Sequence, residues 1–120
     1  KARGDVAEQQ ALHHLQAQGL RLLARNQHTP GRGGGEIDLV MLAPDGTLVF
    51  VEVRARRGQE RGGAAASVGL TKQARIVLAA RHYLMRHRSP PPCRFDVVTV
   101  EGEGQRAQIN WLQAAFDAPS

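Results

Sequence analysis

Glu36-Ile37-Asp38-Leu39-Val40-Met41-Leu42 and Leu48-Val49-Phe50-Val51-Glu52-Val53-Arg54-Ala55-Arg56 are two apolar runs joined by Ala43-Pro44-Asp45-Gly46-Thr47. Both runs are rich in β-branched residues, and each carries an acid in an apolar setting. Pro44 suits the first central position of a type I turn, and Gly46 can take the left-handed conformation after it. This pattern predicts a hairpin with a three-residue loop closed by a glycine bulge. With Pro44, Asp45 and Gly46 as the loop, the numbers of facing residues sum to 90. Asp38 then stands opposite Glu52.

Facing residues on adjacent antiparallel strands have Cβ atoms roughly 4.5–5.5 Å apart, and like charges there are destabilising. A buried carboxylate without a partner costs more still. A divalent cation between Asp38 and Glu52 removes both penalties. Side chains alternate faces along a strand, so Arg54 joins Glu52. Two acids and one cation on one face suit a metal-dependent phosphodiesterase: acids to hold Mg²⁺, a cation for the phosphate. The competing reading makes them solvent-face charges of a half-buried hairpin, with Glu52 and Arg54 screening each other.

Outward from the hairpin, the spacing of Ala7, Ala11, Leu12 and Leu15 predicts a helix over 5–18, stopped at Gly19. Asp5 and Glu8 have capping-box spacing, which gives Glu8 a structural role. The alternative makes Glu8 a third acid facing the metal. His13 and His14 point apart on a helix and form no paired site. Leu20–Ala24 is predicted to be a short strand. Asn26–Gly35, with Pro30 and four glycines, reads as a turn-rich connection. It lacks the spacing of a phosphate-binding P-loop, but Arg32 and its backbone could approach a phosphate.

Residues 56–63, with Arg56, Arg57 and Arg61, read as a loop whose arginines either grip a nucleic-acid backbone or are simply solvated. A second helix is predicted over 67–88, capped by Ser67 and stopped by Pro90-Pro91-Pro92. Its Ile76, Val77, Ala80, Tyr83 and Leu84 should face the sheet. Lys72, Arg75, His82 and Arg86 form a basic stripe suited to phosphates, or a solvated face. Ala74, Leu78 and Met85 form a second apolar strip for the first helix or for a partner subunit, so a homodimer is open. Arg94–Val100 is predicted to be a strand parallel to an earlier one, because it follows a helical crossover. Ile109, Trp111, Leu112 and Phe116 close the fold as a short amphipathic end, with Trp111 in the core or at an edge. The order α-β-β-β-α-β gives a mixed β-sheet flanked by helices, in the α/β class.

The 120 residues suit one domain over 1–120, with 42% apolar residues. No apolar run approaches the roughly 18–20 residues needed to span a membrane. No secretory apolar segment follows the basic start, and the single Cys93 excludes both a disulfide framework and a cysteine zinc site. A reducing cytoplasm is expected. The net charge of +5 and pI of about 10.6 predict an anionic partner, nucleic acid before membrane.

Gly4-x-x-x-Glu8-x-x-Ala11, Asn26, Gly35-Glu36-Ile37-Asp38-Leu39-Val40, Val49-Phe50-Val51-Glu52-Val53-Arg54, Lys72 and Arg94-Phe95-Asp96-Val97-Val98 together resemble the YraN family of small bacterial proteins. The resemblance covers nearly the whole chain. The family is similar to the PD-(D/E)XK nuclease superfamily, with a restriction-endonuclease-like fold akin to archaeal Holliday junction resolvases. The resemblance implies that Asp38 and Glu52 bind Mg²⁺ or Mn²⁺ with help from the Val53 carbonyl, and that Glu8 matches the resolvases' helical acid. Those proteins usually carry Lys where this chain has Arg54, and arginine stays protonated and cannot be a base. Two functions are therefore expected: a metal-dependent DNA endonuclease, selective for branched DNA, or a catalytically weak nucleic-acid-binding protein of DNA processing or repair.

Overall fold

The computed structural model describes residues 2–31, 33–56, 68–102 and 104–118, with side chains from Val6 onward. Helix α1 (Ala2–Ala17) leads into strands β1 (Arg21–His28), β2 (Glu36–Leu42) and β3 (Leu48–Arg56). Helix α2 (Leu70–Leu84), strand β4 (Cys93–Glu101), a 3₁₀ turn (Gly104–Arg106) and strand β5 (Gln108–Phe116) complete the order. The strands form one sheet in sequence order, β1 to β5, and only β3 and β4 run parallel. Both the α/β class and the mixed sheet agree with the sequence reading, and the architecture is compatible with a restriction-endonuclease-like core.

The two helices cover opposite faces of the sheet. On one face Ala7, Ala11, Leu12 and Leu15 of α1 pack with Leu39, Met41, Val49, Val51 and Val98. On the other, Ile76, Val77, Ala80 and Tyr83 of α2 pack with Val40, Leu48, Phe50 and Val97. The central strands are buried on both sides, which explains their nearly continuous apolar runs. Among the described residues, no helix is long and apolar enough to cross a membrane.

The hairpin forms as its turn residues dictate. Ala43 N–H donates to the Thr47 carbonyl at 2.9 Å, and Gly46 sits at φ 90°. The register follows the sum of 90, from Leu42–Leu48 to Leu39–Val51.

Several boundaries differ from the sequence reading, among them the end of α2, which falls at Leu84 rather than at 88. Helix α1 begins at Ala2, so Asp5 lies inside it and is no cap. Strand β1 continues to His28, through what reads as loop, because Asn26 takes φ 52° and the pairing resumes beyond it. Helix α2 begins after Gly69, which makes no side-chain cap; Ser67 lies outside the described residues. The chain's end is a full nine-residue strand rather than a short amphipathic end.

That last strand is held by a buried acid. Asp96 is 1% exposed. It accepts from Arg94 Nε at 3.1 and 3.2 Å, from Trp111 Nε1 at 2.8 Å and from Ala114 N–H at 3.0 Å. The β4–β5 register shifts between Phe95 and Val97, and Ala114 lies within that bulge at φ 50°. The carboxylate thus takes the place of a ladder partner. Asp96→Ala should cost roughly 3–5 kcal/mol, since it leaves the Arg94 charge without its buried partner. Trp111→Phe should cost about 1–2 kcal/mol for one lost bond to a charged acceptor. Urea unfolding of the two variants checks both values, and near-wild-type stability of Asp96→Ala would show that β5 is held by packing alone.

Candidate functional site

Asp38 sits where both ladders around β2 are interrupted. The β2–β3 pairing ends at Leu39–Val51. The β1–β2 pairing steps from Arg25–Leu39 to Gln27–Ile37, across Asn26 and Asp38. Strict alternation would put Ile37 and Leu39 on one face, yet Ile37 packs on the α2 side and Leu39 on the α1 side. The strand therefore turns over at Asp38. In compensation Asp38 Oδ2 accepts the Val53 N–H at 2.8 Å, a bond from side chain to backbone where the ladder has stopped.

Glu52 lies on the α2 face and is only 4% exposed. Two cations approach its Oε2: Lys72 Nζ at 3.6 Å and Arg54 Nη1 at 3.8 Å. Arg54 comes from the same strand face, as the alternation predicts. Lys72 comes from the first turn of α2. Sequence reading placed Lys72 on a basic stripe and missed this contact. A signal existed: a helix that crosses back between parallel strands starts near the C-terminal end of the first strand, where Glu52 and Arg54 stand.

Burial, and then the negative charge of Glu52 beside it, push the Asp38 carboxyl up from 3.8 to about 7; the Val53 N–H pulls the other way. Two close carboxylates cannot both ionise freely, so one proton stays with the pair.

Glu8, on α1, is held by a cation of the first strand. Its carboxylate meets Arg25 Nη2 at 3.5 Å. Among the described residues no three His, Cys, Asp or Glu side chains are grouped to hold a metal ion. Glu8 thus has an ion-pair partner on β1, and the capping box falls with the position of Asp5.

A pocket of about 340 Å³ adjoins the pair through Lys72. Thr29, Gly34 and Gly35 line it from the β1–β2 connection, and Lys72 and Arg75 from α2. Two of the expected nucleic-acid contacts therefore converge there. Arg86 lies further along α2, 4.1 Å over the Tyr83 ring and 3.5 Å from Gln27 Oε1. Arg56 closes β3 opposite Glu101. Arg32, Arg57 and Arg61 lie outside the described residues. Leu78 and Met85 of the second apolar strip are 44% and 78% exposed, not covered by α1.

The raised Asp38 carboxyl makes stability depend on pH with a definite sign. Between about pH 4 and pH 7 the folded protein holds a proton that the unfolded chain has released. This contribution is complete below pH 4 and is lost as pH rises through about 7. Asp38→Asn keeps an acceptor for Val53 N–H but cannot ionise, so its thermal midpoint should fall less steeply across that window than wild type. Parallel slopes would place the shared proton elsewhere.

A model of the uncharacterised protein family UPF0102 matches residues 7–100. The chain is 68% identical over 118 residues to a UPF0102 protein of Albidiferax ferrireducens, covering 98% of this chain and 89% of that one. It is 64% identical to one of Paracidovorax citrulli, covering 98% and 84%. A relative in Methylibium petroleiphilum is 60% identical over 121 residues, covering 98% and 96%.

Proposed function

Since the chain belongs to the uncharacterised protein family UPF0102, which is the YraN family of the sequence motifs, we propose its function from its own geometry: a Mg²⁺- or Mn²⁺-dependent DNA endonuclease. The observation that carries this reading is the Asp38–Glu52 pair, a half-buried and a buried acid at a break in the sheet with cations converging on Glu52.

The donor set fits a hard divalent cation. Mg²⁺ is commonly held by one or two carboxylates, with water and substrate phosphates completing its shell. Asp38 and Glu52 would hold the ion, with the Val53 carbonyl as the further oxygen donor that the family resemblance implies. When bound, the ion would supply Lewis acidity and an activated water. Asp38 would give up its shared proton on binding. Glu52 would exchange its ion pairs at 3.6 and 3.8 Å for the metal, releasing the heads of Lys72 and Arg54 to phosphate oxygens. Arg54 can grip two such oxygens with its planar fork and stabilise charge that develops in the transition state. It cannot take a proton from water. The net charge of +5 supports a polyanionic substrate, and branched DNA follows from the likeness to junction resolvases.

A second reading rests on Arg54 itself: with arginine in the usual lysine position, the protein binds nucleic acid for DNA processing or repair and cleaves weakly or not at all.

Calorimetric titration with Mn²⁺ near pH 6, in two buffers of different ionisation heat, should reveal uptake of the ion with release of about one proton. Asp38→Ala and Glu52→Ala should abolish uptake. Equal uptake by the double variant would exclude this site. Single-turnover assays on branched, flapped, single-stranded and duplex DNA, with Mg²⁺, Mn²⁺ or EDTA, separate the two functions. For an endonuclease, Arg54→Lys keeps or raises the rate, by up to the ~10²–10⁴-fold typical of a gained general base, and Arg54→Ala loses most of it. For a binder, no variant cleaves and Arg54→Ala weakens DNA affinity.

A further inference from the structure

We propose that the pocket between residues 29–35 and the start of α2 binds a phosphomonoester, the dianionic phosphate at the end of a nucleic-acid strand or on a free nucleotide. The inference takes from the proposed function only that the ligand is nucleotide in chemistry; it needs neither metal nor cleavage.

The pocket's volume of about 340 Å³ lies at the small end of the range for ligand sites, suited to a small molecule rather than a duplex. Its loop side is backbone. The Thr29 N–H is bonded to the Gly35 carbonyl at 3.0 Å, which closes the loop. A Cβ on Gly34 would strike the Thr29 carbonyl, and one on Gly35 would strike the Arg75 carbonyl of α2. The glycines thus let the loop lie directly against the helix that carries the cations.

Arg75 is exposed and has no side-chain partner among the described residues. The Thr29 hydroxyl oxygen is buried without a hydrogen-bond partner, an uncommon state for a buried polar atom. Lys72 reaches the same space while meeting Glu52 at 3.6 Å. Among the described residues Glu36 is the one acid lining the pocket, and its carboxylate faces His28 Nε2 at 3.8 Å. Two cations from successive turns of one helix match a phosphomonoester, whose charge near pH 7 is about −1.5 to −2. An internal phosphodiester carries a single charge and has strand continuing on both sides.

The test is fluorescence anisotropy in EDTA, with the full chain and a short single strand bearing a 5′-phosphate, a 3′-phosphate or hydroxyl ends only. One phosphorylated end should bind roughly tenfold tighter than the hydroxyl-ended strand, as one or two charge-assisted hydrogen bonds provide. Arg75→Ala should erase that preference, lowering affinity for the phosphorylated strand several-fold more than for the hydroxyl-ended one. Competition by a mononucleotide and by inorganic phosphate identifies the source. Displacement at equal concentration means a free nucleotide, and displacement only by phosphorylated strand means a strand end; both support the pocket. Equal affinity for all three strands, or an equal loss by Arg75→Ala on phosphorylated and hydroxyl-ended strands, overturns it. Because no metal is present, this outcome is independent of whether Asp38 and Glu52 bind Mn²⁺.

Discussion

The repulsion between two carboxylates is the constraint around which the centre of this molecule is arranged. Asp38 and Glu52 come from neighbouring strands, one half-buried and one buried, so their ionised forms compete. The fold lowers the cost in three ways. A proton remains with Asp38, whose carboxyl is pushed up to about 7. A backbone N–H satisfies one Asp38 oxygen. Lys72 and Arg54 bring positive charge to Glu52. None of these removes the proximity itself.

Asp96 shows what a structural buried acid looks like in the same sheet. Its two oxygens receive four donor contacts, all between 2.8 and 3.2 Å. It anchors the edge strand and its bulge, and every partner lies within hydrogen-bonding distance. The Asp38–Glu52 pair differs in kind. Its cations stand at 3.6 and 3.8 Å, beyond direct hydrogen bonds, and come on long side chains 45% and 40% exposed. A group that must exchange partners is served by such loose pairing, whereas a group that must fix a strand is not.

Much of this was legible in the chain because turn chemistry is local. Pro44 and Gly46 set the loop and the loop set the register, which runs to Leu39–Val51 and stops one position short of facing Asp38 with Glu52. The helical faces followed from apolar spacing in the same way. Long-range substitutions for backbone bonding were not legible. Asn26 reads as a loop residue, yet β1 passes through it by adopting a positive φ and then resumes its pairing. The residues of β5 alternate poorly, because it is an edge strand held by Asp96, and a carboxylate bridging 18 positions to Ala114 leaves no periodic trace. Glu8 misled for a related reason: its capping-box spacing is a local signal, but the helix starts earlier and its partner Arg25 lies on another element.

Gly35 lies on a connection where substitutions are ordinarily tolerated. Here the absence of a side chain is what allows the 29–35 connection to touch the backbone of α2 at Arg75. The spacing between loop and helix is therefore set by a missing methyl group. A residue as small as alanine would act as a wedge, lifting the first turns of α2 and carrying Lys72 and Arg75 away from Glu52 and the pocket together. In a saturation screen scored by function, position 35 should look as intolerant as a core position. The cause is mechanical: one contact sets the reach of two cations.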